Sequence, residues 1–392
     1  MTSNIYVLAG LVLLLGFILG QLLRKAGLTE VLAYLFAGVI LGPILKFSAP
    51  EQFSSVITGI TLAFVAYMVG LSFSFSFLKK MGKKVLIILI IEVLVTSVVV
   101  WIFVYLLTRD LPLSIILASL APATAPAGTI AVLRDLRSKG TLTDVSIAVV
   151  GLDDAAAIVI YSVGVVWAKT LLGGGGKVSI ASSLLYPVWE ILGAVALGGA
   201  IGIVISYYTK KMHLSSDNIF VICVAVAIFC WGFAGMIGVS AILACMILGM
   251  TVINFNVHIG NRSSELMDNI MTPVFMLFFA VIGMAIDFSQ FASIWAIVIM
   301  YCIGRSAGKV LGCTTGGILS KSEPKITKYL GIALLNQAGV AIGLAFLAAQ
   351  ELSEYGLGGI IITLMATTTA LFQLFSPLCI QYAIRKAGEA NI

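Results

Sequence analysis

Apolar blocks of about 18 to 25 residues recur along the whole chain, each closed by a short polar link, and that is the length a helix needs to cross roughly 30 Å of hydrocarbon. With 60% of 392 residues hydrophobic and 10% charged, no single soluble core absorbs so much apolar surface. Inside lipid the backbone must satisfy its own hydrogen bonds. The blocks therefore predict an all-α, polytopic membrane bundle.

Apolar runs read against breakers give thirteen transmembrane helices, near 5–23, 31–45, 56–73, 85–107, 113–133, 145–167, 184–207, 219–235, 241–253, 271–286, 293–319, 329–349 and 357–378. The first is not followed by a small-residue cleavage site, so it reads as a retained span. Lysine and arginine accumulate in cytoplasmic links. One set of links and the C-terminus holds seventeen of the 23: Arg24, Lys25, Lys79, Lys80, Lys83, Lys84, Arg134, Arg137, Lys139, Lys210, Lys211, Arg262, Lys321, Lys325, Lys328, Arg385 and Lys386. The other holds Lys46, Arg109, Lys169 and Lys177. This bias puts the N-terminus outside and the C-terminus in the cytoplasm, which an odd number of spans requires. The glycine run at 173–176 marks a hinge between two halves.

The net charge of +6 is explained by that topology, because no basic tract with interleaved aromatics marks a nucleic-acid surface. Six cysteines lie in apolar segments without metal-ligand spacing and read as small fillers. No cofactor is implied.

A charge at mid-bilayer costs at least about 2.5 kcal/mol, so each one needs a partner or a task. Glu92, Asp153, Asp154, Arg305 and Lys309 qualify, while Glu190 lies near enough to an interface to snorkel. Asp153 and Asp154 sit in GLDDAAAIVIY, and Lys309 sits at a similar depth, so a salt bridge across the bundle is expected. Neighbours on a helix point about 100° apart. One aspartate can thus face Lys309 and the other a cavity. Arg305 and Lys309 share a face at i, i+4, and the expected pairing sets Glu92 against Arg305, with the reverse assignment open.

In ASLAPATAPAGT, Pro122 and Pro126 each remove a backbone donor, so the helix is expected to break between them. Thr124 would then offer a hydroxyl and a carbonyl to a desolvated cation, and Thr129 follows on the same segment. In LLNQAGVAIG, Asn336, Gln337 and Gly339 interrupt a second helix. The two interrupted spans are seven apart and so run in opposite directions, the mark of an inverted repeat with two crossed discontinuous helices. Gly304, Gly308, Gly312 and Gly316 clear one face for close helix approach, and Gly16 and Gly20 form a weaker motif suited to a dimer interface.

Enzyme chemistry fits poorly. Adjacent acids on one helix cannot form a facing aspartyl dyad, and His213 and His258 fall in links, away from any intramembrane serine.

Taken in order, YLFAGVILGP, MVGLSFSFSFLKK, GLDDA, GVSAILACMILGM, PVFMLFFAVIGMAID, RSAGK and LLNQAGVAIGLA resemble the second branch of the monovalent cation:proton antiporter superfamily, especially prokaryotic sodium/proton antiporters, nearly end to end. The resemblance implies a core ion-binding bundle at about 85–167 and 293–378, a dimerisation bundle at about 5–73 and 219–286, and a linking helix at about 184–207. It implies a homodimer in the plasma membrane that exchanges Na+ (or Li+) for protons, with elevator-like movement of the core. Asp154 would bind cation or proton in competition, with Asp153 and Thr124 beside it, and Asp153 would pair with Lys309. K+/H+ exchange is the alternative, followed by a sodium-coupled symporter or a cation channel. Two departures stand out. Ser72 or Ser74 replaces an acid common in the family, and no nucleotide-binding domain follows Ile392, unlike potassium-efflux members that carry one.

Overall fold

The computed structural model describes residues 4–25, 30–173, 180–212, 215–286, 291–337 and 339–391. Residues 174–176 of the expected hinge, Lys177 and His213 lie outside them. The helices are α1 (Ile5–Lys25), α2 (Glu30–Val39), α3 (Glu51–Leu71), α4 (Phe75–Thr108), α5 (Leu111–Leu120), α6 (Pro126–Asp135), α7 (Thr141–Gly173) and α8 (Ile180–Lys211). They continue with α9 (Ser216–Ile237), α10 (Ala241–Phe255), α11 (Val257–Met284), α12 (Phe291–Leu319), α13 (Pro324–Ala333), α14 (Gly339–Glu351) and α15 (Gly358–Lys386). Among the described residues, nine helices are long and apolar enough to span a bilayer, and four shorter apolar helices accompany them. The protein is a multi-pass membrane protein.

The stretches expected at 113–133 and 329–349 are each divided into two short helices, α5 with α6 and α13 with α14. Two other boundaries move. α11 starts at Val257, fourteen residues before the expected span, so Arg262 and His258 lie on a helix and not in a link. Arg262 is satisfied there by Glu265 at 2.7 Å and by the Ser216 hydroxyl at 2.9 Å, which lets charged residues extend the helix beyond its apolar part. α4 begins at Phe75, and a positive φ of 78° at Gly82 separates its basic start from the apolar part. Lys46, Arg109, Arg137 and Lys321 follow helices with φ between 45° and 59°. A cation there suits the negative end of a helix dipole, where glycine is the commoner choice.

The chain forms two compact units. One comprises Glu51–Lys80 and Lys169–Phe278. Within it α10 packs between α3 and α8 through small residues: a methyl added at Gly249 would lie 2.1 Å from Tyr67 O, and one at Gly198 would lie 2.2 Å from Ala244 O. The other comprises Met1–Pro50, Met81–Ala168 and Phe279–Ile392, and it holds every charged residue singled out for the site. Here the four-glycine ladder of α12 lies on α4. Added methyls at Gly308, Gly312 and Gly316 would stand 2.7, 2.7 and 2.9 Å from the Cα atoms of Thr96, Glu92 and Ile88. This close approach brings Glu92 to the same level as Lys309. Gly308→Ala is therefore expected to cost about 1–3 kcal/mol by overpacking. Thermal unfolding in detergent within a degree of wild type would contradict this contact.

Candidate ion-binding site

α5 is started by Asp110, whose carboxylate accepts from Leu113 N at 2.9 Å, and it ends at Leu120. Pro126 opens α6 at a position where a missing N–H costs nothing. Residues 121–125 between them leave the helical path and expose backbone carbonyls inside the bundle. Residues 334–337 do the same after α13. The two interruptions bind each other: Ala125 N donates to Asn336 O at 3.1 Å, and Asn336 Nδ2 donates to Ala125 O at 3.2 Å. Asn336 is held in turn by the Ser376 hydroxyl at 2.9 Å from α15.

Buried carbonyls need donors, and α12 supplies them. The Arg305 guanidinium, fully buried, donates to Ala121 O at 2.9 Å, Ala123 O at 2.8 Å, Leu335 O at 2.8 Å and Asn336 O at 3.4 Å. It also lies 4.5 Å from the centre of the Phe372 ring. The expected ion pair between Glu92 and Arg305 is thus not formed. A planar fork suits several carbonyl oxygens better than a single ammonium does, so Arg305 takes the two interruptions and leaves both nearby acids to Lys309.

Lys309 Nζ lies 2.7 Å from Asp153 Oδ2 and 2.9 Å from Glu92 Oε1, and all three side chains are fully buried. It also donates to Pro122 O at 2.5 Å and to the Thr124 hydroxyl at 2.7 Å. The Thr124 hydroxyl in turn donates a hydrogen bond to Asp153 Oδ2. The lysine therefore joins three segments: α4 through Glu92, the first interruption through Pro122 and Thr124, and α7 through Asp153. Thr96 donates to Glu92 at 2.8 Å.

Asp154 differs from its neighbour. It is 5% exposed, and its Oδ1 has no hydrogen-bond partner among the described residues. Asp153 Oδ1 and Glu92 Oε2 are also without one. A buried carboxylate oxygen without a donor is costly unless a proton or a cation can occupy it. Three such oxygens lie on residues around a single lysine.

Of the other residues expected in the site, Thr129 bonds back to Ala125 O at 3.1 Å, and Gln337 donates to the Tyr301 hydroxyl at 3.0 Å. Neither contacts an acid in the described structure. Gly339 opens α14 and has room for a methyl, 3.6 Å from Phe279 Cζ. Four contributors were missed: Thr96, Phe372, Gln373, which donates to Gln337 O at 2.8 Å, and Ser376. Gln373 carried a signal, as an amide inside an apolar span. Among the described residues no cluster of three His, Cys, Asp or Glu is arranged for a metal ion.

The profile of the family described as sodium/hydrogen exchanger, transmembrane, matches residues 10–381. The chain belongs to this family. It is accordingly a cation/proton antiporter and not an enzyme. Among curated proteins the exchanger is 25% identical over 354 residues to the ammonium/H(+) antiporter subunit AmhT of Alkalihalophilus pseudofirmus, covering 88% of this chain and 87% of that one. Its fold matches the sodium proton antiporter MjNhaP1 from Methanocaldococcus jannaschii at pH 8, with a TM-score of 0.77, 18% identity and 97% of each chain covered. A second structure of MjNhaP1, from an electron-microscopy map, matches with a TM-score of 0.73 at 18% identity, over 97% of this chain and 95% of that one.

Proposed function

We propose that this exchanger carries Na+ (or Li+) against protons by alternating access, with Asp154 as the site the two ions share. The observation that carries the reading is the contrast on α7: Asp153 is engaged through Oδ2 by Lys309 and Thr124, while Asp154, one residue on and nearly as enclosed, forms no ion pair with a described residue and has an Oδ1 without a donor. One carboxylate cannot hold a proton and a cation together. Exchange follows if the core moves only when that carboxylate is neutralised.

In this scheme Asp153 and Thr124 flank the cation, and the interruptions at 121–125 and 334–337 act as two discontinuous helices of an inverted repeat, pairing the spans around α4 to α7 with those around α12 to α15. The core at about 85–167 and 293–378 would move against a dimerisation bundle at about 5–73 and 219–286, with 184–207 as the linking helix; of that bundle, residues 1–50 fall in the same compact unit as the core, and 51–73 and 219–278 in the other. The basic-residue bias supports an outside N-terminus and a cytoplasmic C-terminus in the plasma membrane. If Asp153 exchanges its bond with Lys309 for a proton, two protons can move per cation. Glu92 gives this step a physical basis, because it keeps the lysine partnered while Asp153 is protonated.

The relationship to the ammonium/H(+) antiporter subunit favours a second reading in which ammonium is the cargo, and potassium stands as a further alternative. Purified protein in liposomes separates these. An imposed proton gradient should collapse on addition of NaCl or LiCl and stay intact in choline chloride. Ammonium is scored against protein-free vesicles, since free amine crosses lipid unaided. Collapse without any added cation would indicate a channel and reject exchange, and a rate indifferent to membrane potential would reject the two-proton stoichiometry.

A further inference from the structure

Past α15 the chain turns at Gly388, with φ 71°, and runs along the link between α6 and α7. Lys139 N donates to Glu389 O at 3.0 Å, Asn391 N to Leu136 O at 3.1 Å, and Asn391 Nδ2 to Arg137 O at 3.0 Å. The Glu389 side chain is 3% exposed and accepts from Leu142 N at 2.9 Å, Thr143 N at 2.8 Å and the Thr143 hydroxyl at 2.8 Å. Those amides belong to the first turn of α7, whose N–H groups have no partner within the helix. Gly140, just before, has φ 153°, and a methyl there would lie 2.3 Å from Glu389 Cδ. The link is shaped around this carboxylate. From the first turn of α13, Lys325 adds an ion pair at 2.9 Å, and Thr141 donates to Glu323 at 2.9 Å.

One carboxylate thus caps the helix that bears Asp153 and Asp154 and ties it to the helix that leads into residues 334–337. Ordinary N-caps come from the residue just before the helix, whereas this one is 246 residues away in sequence from Thr143. Asp153 lies twelve residues beyond Thr141, about 18 Å along α7. A small tilt or rotation at the capped end therefore displaces both aspartates against Lys309 and Thr124.

We propose that Glu389 is a positioning residue for cation/proton exchange, setting α7 against α13 so that the aspartates meet the interrupted segments in register. The proposal rests on the exchange reading above. Burial opposes ionisation of Glu389, but the hydrogen bonds from Lys325, Leu142 and Thr143 outweigh it and hold the carboxyl below the usual carboxylate range. The other charged groups nearby in sequence on the packed elements are Arg134 and Asp135 of α6, Arg137 and Lys139 of the link, Asp144 of α7, Glu323 just before α13 and Lys328 within it, and Arg385 and Lys386 of α15. A lowered folded value gives stability that is present above the unfolded one, about 4.3, and lost as pH falls through the folded one. The clamp is therefore closed at neutral pH, and the shape of the exchange profile above pH 6 should not reflect titration of Glu389.

The test compares Glu389→Ala, Glu389→Asp and Lys325→Met in liposomes and by hydrogen exchange. Glu389→Ala should raise the apparent KM for the transported cation about fivefold, the factor that the typical loss of one helix cap corresponds to, with a smaller effect on turnover. Lys325→Met keeps the amide bonds and should shift KM by less than about twofold, and Glu389→Asp should recover part of the loss. Backbone amides 142 and 143 should exchange faster in Glu389→Ala and not in Lys325→Met. Unchanged amide exchange would overturn the clamp, while faster exchange with an unchanged KM would reduce it to a structural tie. If Glu389→Ala does not fold, Glu389→Gln, which loses the charge but keeps an acceptor, should show a smaller shift in the same direction, and no shift would overturn the proposal. Hydrogen exchange needs no transport, so a wild type that moves no cation would reject the exchange reading and leave the clamp decided on its own evidence.

Discussion

Asp154→Asn is expected to reduce cation-driven proton exchange to the protein-free background while leaving the protein folded and at least as stable as wild type. The amide keeps the size of the carboxyl but can neither take up a proton nor carry the charge that holds a bare cation. Stability should not suffer, because Asp154 Oδ1 has no donor to lose and the structure is relieved of a buried charge. Asp153→Asn makes the control. That substitution removes one of the two acids that balance Lys309 and weakens the bond from Thr124, so it should lower the unfolding temperature as well as the activity. Liposome exchange and thermal unfolding of both variants separate the roles. If Asp154→Asn still exchanges cations for protons, or if it is the less stable of the two, the assignment of the adjacent acids is wrong.

The contrast between the two aspartates was legible in the sequence, for a simple geometric reason. Adjacent residues on a helix cannot face one partner together, and two acids at membrane depth must therefore have different surroundings. The interruptions were legible as well, since two prolines four residues apart, Pro122 and Pro126, each remove a backbone donor and disturb the turn before them. Glu92 and Arg305 were identified as buried charges, yet their partners were misassigned. The preference of i, i+4 neighbours for separate acids ignores the backbone as a competing acceptor, and the carbonyls released at 121–125 and 334–337 exist only once both interruptions are brought together. The glycine ladder read as packing. That it sets Glu92 level with Lys309 needed the facing helix, because a ladder specifies close approach and not which residue of the partner stands opposite. Glu389 was invisible for a similar reason. A solitary acid near the end of a chain has the look of a solvated residue, and its burial comes from long-range contacts with α7 and α13 that no local pattern encodes.

Arg305→Lys should destabilise the protein by about 2–6 kcal/mol, the size expected when two buried carbonyls lose their donors. The charge is conserved and the geometry is not. Nε and the two terminal nitrogens reach Ala121 O, Leu335 O and Ala123 O within 2.8 to 2.9 Å, so a single planar group holds both interruptions. An ammonium is a point donor on a stem that lacks this fork. It would satisfy one interruption and leave carbonyls of the other unpaired, at about 1–3 kcal/mol for each buried group. Stacking on Phe372 at 4.5 Å would weaken too. The reading in which Arg305 serves as the counter-ion of Glu92 makes a different prediction: charge balance survives in Arg305→Lys, and Glu92→Gln would rescue Arg305→Met. The observed bonds predict no rescue, because Glu92 is held by Lys309 and Thr96 and has no share in the carbonyl cluster. Thermal unfolding of Arg305→Lys, Arg305→Met and the double variant with Glu92→Gln decides between them. A near-native Arg305→Lys would show that the carbonyls find other donors, and the two interruptions would then need some other support than this guanidinium.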